Sequence, residues 1–132
     1  MKSTTKIEQG DIERVLAAAV AEAASNGWNV SVAAVDPGGH LLGFIRRDGA
    51  NAASAEVAVA KARTAAIFNG PTGALEDRIA GRPGVMTLPG ATPLRGGLPL
   101  VAGGELVGAI GVSGVAPQQD EQIAQAGAAA LG

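Results

Sequence analysis

Cysteine and tyrosine are absent from this chain of 132 residues, which holds one histidine, one tryptophan and two phenylalanines. Without cysteine there is no disulfide, thiolate nucleophile, iron–sulfur cluster or structural zinc site of the usual kind. The same absence suits a reducing compartment, and a cytoplasmic protein is expected. Positive charge is scarce. Ten Lys and Arg against twelve Asp and Glu leave a formal net charge of −2, with no broad basic field to attract a nucleic acid. No apolar run approaches the roughly 18 residues of a membrane span, and residues 1–15 lack the apolar segment of a signal peptide.

In place of large side chains the sequence has small ones. Alanine (28) and glycine (20) supply more than a third of the residues, within a hydrophobic fraction of 47%. That composition and length describe one folded domain spanning 1–132. Its core gains little area per side chain, so its backbones must approach closely, and association of subunits would bury more surface.

Residues 8–26 show helical spacing through Ile12, Val15, Leu16, Ala19 and Ala23, with Asn26-Gly27 as the stop. A strand over Trp28–Val35, the turn Asp36-Pro37-Gly38-Gly39 and a strand over Leu41–Arg47 make a hairpin. Period two places Leu42 and Phe44 on one face of the second strand and Leu41 and Ile45 on the other. A second helix covers 52–69, and a short third, capped by Thr72, covers 73–80. Residues 82–97 read as a loop with a short strand near Thr92–Arg95. Leu98–Ala102 and Glu105–Ser113 form a second hairpin about Gly103-Gly104, and Pro117 starts a last helix over 118–131. Two hairpins joined by helices argue for an α+β domain with a mostly antiparallel sheet.

Six blocks run through the chain in order: Asn29-Val30-Ser31-Val32, Asp36-x-Gly38-Gly39-His40-Leu41, Arg46-x-Asp48-x-Ala50, Lys61-Ala62-x-Thr64-Ala65, Gly96-Gly97-x-Pro99 and Gly108-x-x-Gly111-Val112-Ser113-Gly114. From about Val15 to Leu131 the chain resembles the GlcG/HbpS family of haem-binding proteins, which includes the C-terminal domain of the PduO proteins. The resemblance implies a five-stranded antiparallel sheet flanked by helices in a profilin-like arrangement, assembled as a homo-oligomer. For some members it also implies binding of haem or a corrinoid.

The chemistry-bearing residues each allow two readings. Haem iron takes an axial donor such as His, Met, Cys or Tyr, which leaves His40, Met86 and Met1. His40 follows a Gly-Gly turn, where a side chain faces solvent or bonds the turn; ligation or acid–base work is the sharper reading. Lys61, Thr64 and Phe68 share one helical face. Beside an apolar seam Lys61 would hold a carboxylate or act as a base; the plainer reading is a surface lysine paired with Asp48 or Glu56. Arg46 either pairs with Asp48 or joins Lys61 in an anion site. Arg95-Gly96-Gly97 offers main-chain N–H groups as an oxyanion or phosphate cradle, or simply lets strands pack tightly. The glycines match neither the dinucleotide nor the P-loop fingerprint, and no residue set suggests a metal site.

A small-ligand-binding protein is therefore expected, taking haem, a corrinoid or a similar anionic organic molecule. The cleft would lie between the second helix, the Arg95-Gly96-Gly97 loop and a neighbouring subunit. Arg46, Lys61 and Arg95 would neutralise carboxylates, with Thr64 beside them, while Phe68, Met86 and Leu88 contact the apolar body. The alternative is a cofactor-independent isomerase, lyase or hydrolase for a small oxygenated or carboxylated metabolite. Lys61, His40 or Asp48 would then be the acid or base, with the Gly96 and Gly97 amides as oxyanion donors. A third reading is a non-catalytic oligomerisation module.

Overall fold

Helix α1 (Gln9–Ser25) begins where the Asp11 carboxylate accepts the Glu8 N–H at 2.8 Å, and it ends at Asn26-Gly27, where Gly27 takes a φ of 70°. Its buried stripe is Ile12, Val15, Leu16, Ala19 and Ala23, the spacing of one helical face. The computed structural model describes all 132 residues. After α1 come β1 (Ser31–Val35), β2 (Leu41–Arg46), α2 (Ala53–Ile67), α3 (Thr72–Ile79), a 3-10 helix (Pro83–Thr87), β3 (Gly97–Ala102), β4 (Glu105–Ser113) and α4 (Pro117–Ala129).

The sheet has four strands in the order β2-β1-β4-β3, every neighbouring pair antiparallel. Helices cover both faces, so β1 is buried along its whole length and has no polar side. Val32, Ala34, Leu100, Ile110 and Val112 meet α1 and α4 on one face. Ala33, Val35 and Ala109 meet Ala58, Ala62, Ala65 and Ala66 of α2 on the other.

The layer under α2 is set by two glycines. Gly97 and Gly111 are register partners in β3 and β4. A Cβ at Gly111 would lie 2.1 Å from the Ala58 carbonyl oxygen and 2.4 Å from the Ala62 nitrogen, and one at Gly97 would lie 2.4 Å from the Lys61 carbonyl oxygen. The main chain of α2 therefore rests directly on the main chain of the sheet, a distance only glycine below and alanine above allow.

Three expectations are corrected. The sheet has four strands, not five, because Thr92–Arg95 forms no ladder. Pro93 has no N–H to offer, the Thr92 N–H donates to Thr64 Oγ1 at 2.9 Å, and the Arg95 N–H donates to Glu76 at 2.7 Å. Thr72 does not cap α3. It is the first residue of that helix, and its hydroxyl donates to the Leu94 carbonyl at 2.5 Å and accepts the Gly97 N–H at 2.8 Å. In β2, a register shift pairs Leu41 with Val35 and Phe44 with Ala33. Leu41 and Phe44 therefore share the α2 face, which strict alternation had separated.

Replacing Gly111 by Ala is expected to destabilise the protein by about 3 kcal/mol, the cost of forcing two backbones apart. Gly81→Ala, where nothing lies within 4 Å of the added carbon, is expected to change stability by less than about 0.5 kcal/mol. Urea unfolding of the two variants checks the difference.

Candidate functional site

Lys61 lies mid-way along α2 on the side pressed to the sheet, and only 4% of its side chain is exposed. Its Nζ donates to the Val112 carbonyl at 2.9 Å and to Asp120 Oδ2 at 3.1 Å. Asp120, in the first turn of α4, is equally buried, and its other oxygen accepts the Val115 N–H at 3.2 Å. Gly96 closes over the pair: a Cβ there would sit 2.9 Å from Nζ. One internal charge pair thus ties together α2, the end of β4, the start of β3 and α4. Burial raises the pKa of Asp120 above the ordinary value of 3.8, against the opposing pull of the Lys61 ammonium and the Val115 N–H. The surface pairing of Lys61 with Asp48 or Glu56 does not form, because the side chain runs inward along the helix–sheet seam.

Thr64 is likewise internal. Its hydroxyl donates to the Ala60 carbonyl at 2.7 Å and accepts from Thr92, so it moors the loop before β3. Arg95 donates to Asp77 at 2.6 Å and to Glu121 at 3.3 Å; the Asp77 hydrogen bond chiefly raises its pKa. The Gly97 N–H is taken by Thr72, and the Gly96 carbonyl accepts the Val112 N–H at 3.0 Å. Arg46 bonds the Ala50 carbonyl through Nε at 3.1 Å and Nη2 at 2.8 Å, while Asp48 lies exposed in the β2–α2 loop. Lys61, Arg46 and Arg95 are each engaged with separate partners and do not converge on one space. Nor do Lys61, His40 and Asp48. No group of three His, Cys, Asp or Glu is placed to hold a metal ion, and no helix is long and apolar enough to cross a membrane.

His40 begins β2's side of the first hairpin with its side chain 81% exposed, Nδ1 lying 3.1 and 3.2 Å from the two oxygens of Asp36. Burial works to raise the pKa of Asp36, but the N–H groups of His40 and Gly38 and the imidazole outweigh it and hold the carboxyl below 3.8. The turn fixes the ring through Nδ1 and leaves Nε2 free.

Two open grooves flank α2. One, of about 380 Å³, runs between β2 and α2, walled by Leu41, Phe44, Ala55, Val59 and Ala60, with Glu56 and Arg63 at its rim. Arg63 enters none of the salt bridges, in contrast to Arg14 and Arg95. Its stem lies against the His40 turn, where a Cβ on Gly39 would meet Arg63 Cγ at 3.5 Å. The other, of about 480 Å³, lies at the α2–α3 corner and brings Phe68 and Leu88 together with Leu75 and Arg78. Met86 is exposed on the neighbouring 3-10 helix.

Sequence reasoning missed Asp120 as the partner of Lys61, since 59 residues separate them and an Asp near a helix start reads as a cap. It also passed over Arg63. The available signal was the spacing Val59–Arg63, together with four large apolar residues, Leu41, Leu42, Phe44 and Ile45, on the preceding strand.

A profile of the family described as haem degrading protein, HbpS-like, matches residues 7–129. Protein GlcG of Escherichia coli (strain K12) is 41% identical over 114 residues, 86% of this chain and 85% of that protein. A crystal structure of a double mutant of Streptomyces reticuli HbpS superposes with a TM-score of 0.92 at 41% identity, covering 100% of this chain and 91% of that one. A crystal structure of a PduOC:heme complex superposes with a TM-score of 0.87 at 30% identity, covering 96% and 95% of the two chains.

Lys61→Met leaves Asp120 buried without its cation and is expected to cost about 3–5 kcal/mol at neutral pH. A carboxyl whose folded pKa is raised favours the folded state when protonated, so its penalty is absent well below 3.8 and sets in as pH rises through the window above that value. The stability gap between wild type and Lys61→Met is therefore expected to narrow from pH 8 toward pH 4, as measured by unfolding midpoints across that range.

Proposed function

The chain belongs to the HbpS-like family of haem-degrading proteins, and from that premise we propose that it binds haem in the groove between β2 and α2. The observation that carries this reading is the pairing of an apolar trough with a cation that has no partner inside the protein. Leu41, Phe44 and Val59 offer a broad hydrophobic wall, and Arg63 stands at its rim ready to meet a propionate. His40 lies one residue before Leu41 and outside the groove's lining; it is the donor this reading would use, since a carboxylate on Nδ1 would increase the basicity of an imidazole ligating through Nε2.

When bound, haem would supply an iron for ligand or oxygen chemistry; the residues of this chain orient it and shield it. The structure of the PduOC:heme complex supports the choice of haem among anionic organic ligands, and a corrinoid is tested beside it as the larger tetrapyrrole. Phe68 and Leu88 belong to the α2–α3 groove, which mixes Asn69, Gly70 and Pro71 into its wall and has Arg78 as its cation; it serves as the control. The acid–base alternative has no observation in its favour, since Lys61, His40 and Asp48 occupy three separate places.

Titration with hemin is expected to give a red-shifted Soret band that saturates at one haem per chain or per pair of chains. Arg63→Glu and Phe44→Ala should each weaken binding about tenfold, roughly 1.4 kcal/mol, and Phe68→Ala should not. His40→Ala should alter the spectrum of the bound iron more than the affinity. No Soret change at micromolar protein sinks the reading, and saturation by cobalamin in place of hemin redirects it to corrinoids.

A further inference from the structure

Residues 1–7, ahead of α1, form neither helix nor strand, and none of their main-chain groups bonds main chain elsewhere. Met1 to Lys6 are exposed. Ile7 alone enters the core, 8% exposed, in the cluster that holds Ile12, Leu16 and Val107. The one hydrogen bond that ties the segment down runs from the Thr5 N–H to Glu105 Oε2 at 3.0 Å, in an exposed position. One apolar side chain and one exposed bond thus oppose the conformational entropy of seven ordered residues. A strap held this weakly opens without the domain unfolding.

Ile7 is the wall shared by three neighbouring cavities of about 460, 520 and 150 Å³. Leu42 also lines the first two and Val107 the last two, so lifting the strap joins them into one trench between α1, the first hairpin and the start of β4. Its floor is Ile12, Leu16, Leu42, Val107 and Leu131. Its rim is acidic: Glu8, Asp11, Glu13, Asp36 and Glu105 border it, and the one cation among its lining residues is Lys6 of the strap itself. The occupant shows what the trench accepts. It sets a main-chain N–H on a carboxylate, a branched apolar side chain in the floor and a lysine on the rim that carries Asp11, Asp36 and Glu105. An anionic ligand meets repulsion along this rim, whereas a basic segment repeats the complementarity that the strap already has.

We propose that this trench is a docking site for a peptide segment of a partner protein carrying a lysine or arginine next to a branched apolar residue, and that Met1–Ile7 fills it in cis until such a segment displaces it. Tethering gives the strap a high effective concentration, so it turns away mismatched segments and yields to one that fits better or is itself held nearby.

The probe is a fluorescein-labelled peptide with the strap's own sequence from Lys2 to Glu8, titrated against full-length protein and read by anisotropy. Ile7→Glu in the protein puts a carboxylate where the strap must insert. It is expected to free the trench and bind the probe at least about tenfold more tightly than wild type, with the far-ultraviolet circular dichroism of wild type. Probes carrying Lys6→Glu or Ile7→Ala should bind that variant at least about tenfold more weakly than the parent peptide. Hydrogen exchange of the wild type needs no variant: the Thr5 amide should exchange at least about a hundredfold faster than the Val15 and Ala19 amides of α1, and faster still in excess probe. A Thr5 amide as slow as those of α1 overturns the strap, and exchange that excess probe leaves unaltered overturns displacement. No binding of the probe to folded Ile7→Glu, or equal binding of the Lys6→Glu probe, overturns the docking site.

Discussion

The rest of the structure depends on how closely α2 approaches the sheet. Main chain lies against main chain at Gly97 and Gly111, with alanine methyls filling what is left between Ala33, Ala109 and the helix. Dispersion and exclusion of water act over many short contacts here, and no large side chain contributes. Once the helix is that close, a lysine at position 61 has nowhere to go but along the seam, and it needs a buried anion within reach. Asp120 meets that need by bringing the start of α4 to the end of β4. The loop before β3 is held by the same helix, through the hydroxyls of Thr64 and, one element on, Thr72.

The block with the most family-like sequence is thus an assembly device first. Lys61, Thr64, Arg95, Gly96 and Gly97 hold the middle of the protein together, and the ligand-facing role we propose lies on the other side of α2. There Val59 and Arg63 look outward over β2. Helix α2 is apolar on both sides, inward through alanine and outward through Val59 and Ile67, which is the pattern of a helix with something packed on each face.

The α+β class, the four helices and both hairpins were legible because their signals are local: apolar spacing at 3.6 or two residues, Asp-Pro-Gly-Gly and Gly-Gly turns, a proline at a helix start. The small-residue composition also told of close backbones. The phantom strand at Thr92–Arg95 shows the limit, since an extended segment tied by side chains has the same local sequence as one tied in a ladder. The facing of β2 was lost to one register shift, invisible to period-two counting. Lys61 was singled out correctly as unusual, yet whether a lysine faces a ligand or a carboxylate on a helix 59 residues away is a matter of tertiary contact. Arg63 lay two residues along the same run, and its lack of any internal partner became visible only once Arg14, Arg46, Arg47 and Arg95 were seen to have theirs.

The alanine layer has a mechanical consequence. Of the residues that form it, only Val35 has a side-chain torsion to adjust; Ala33, Ala58, Ala62, Ala65, Ala66 and Ala109 have none. A layer without alternative rotamers cannot absorb a push by local repacking, and dense interiors transmit strain. Any load placed on the outer side of α2 is therefore carried by the helix as a rigid beam, with Lys61 as its rivet, and delivered to α4 at the far side of the sheet.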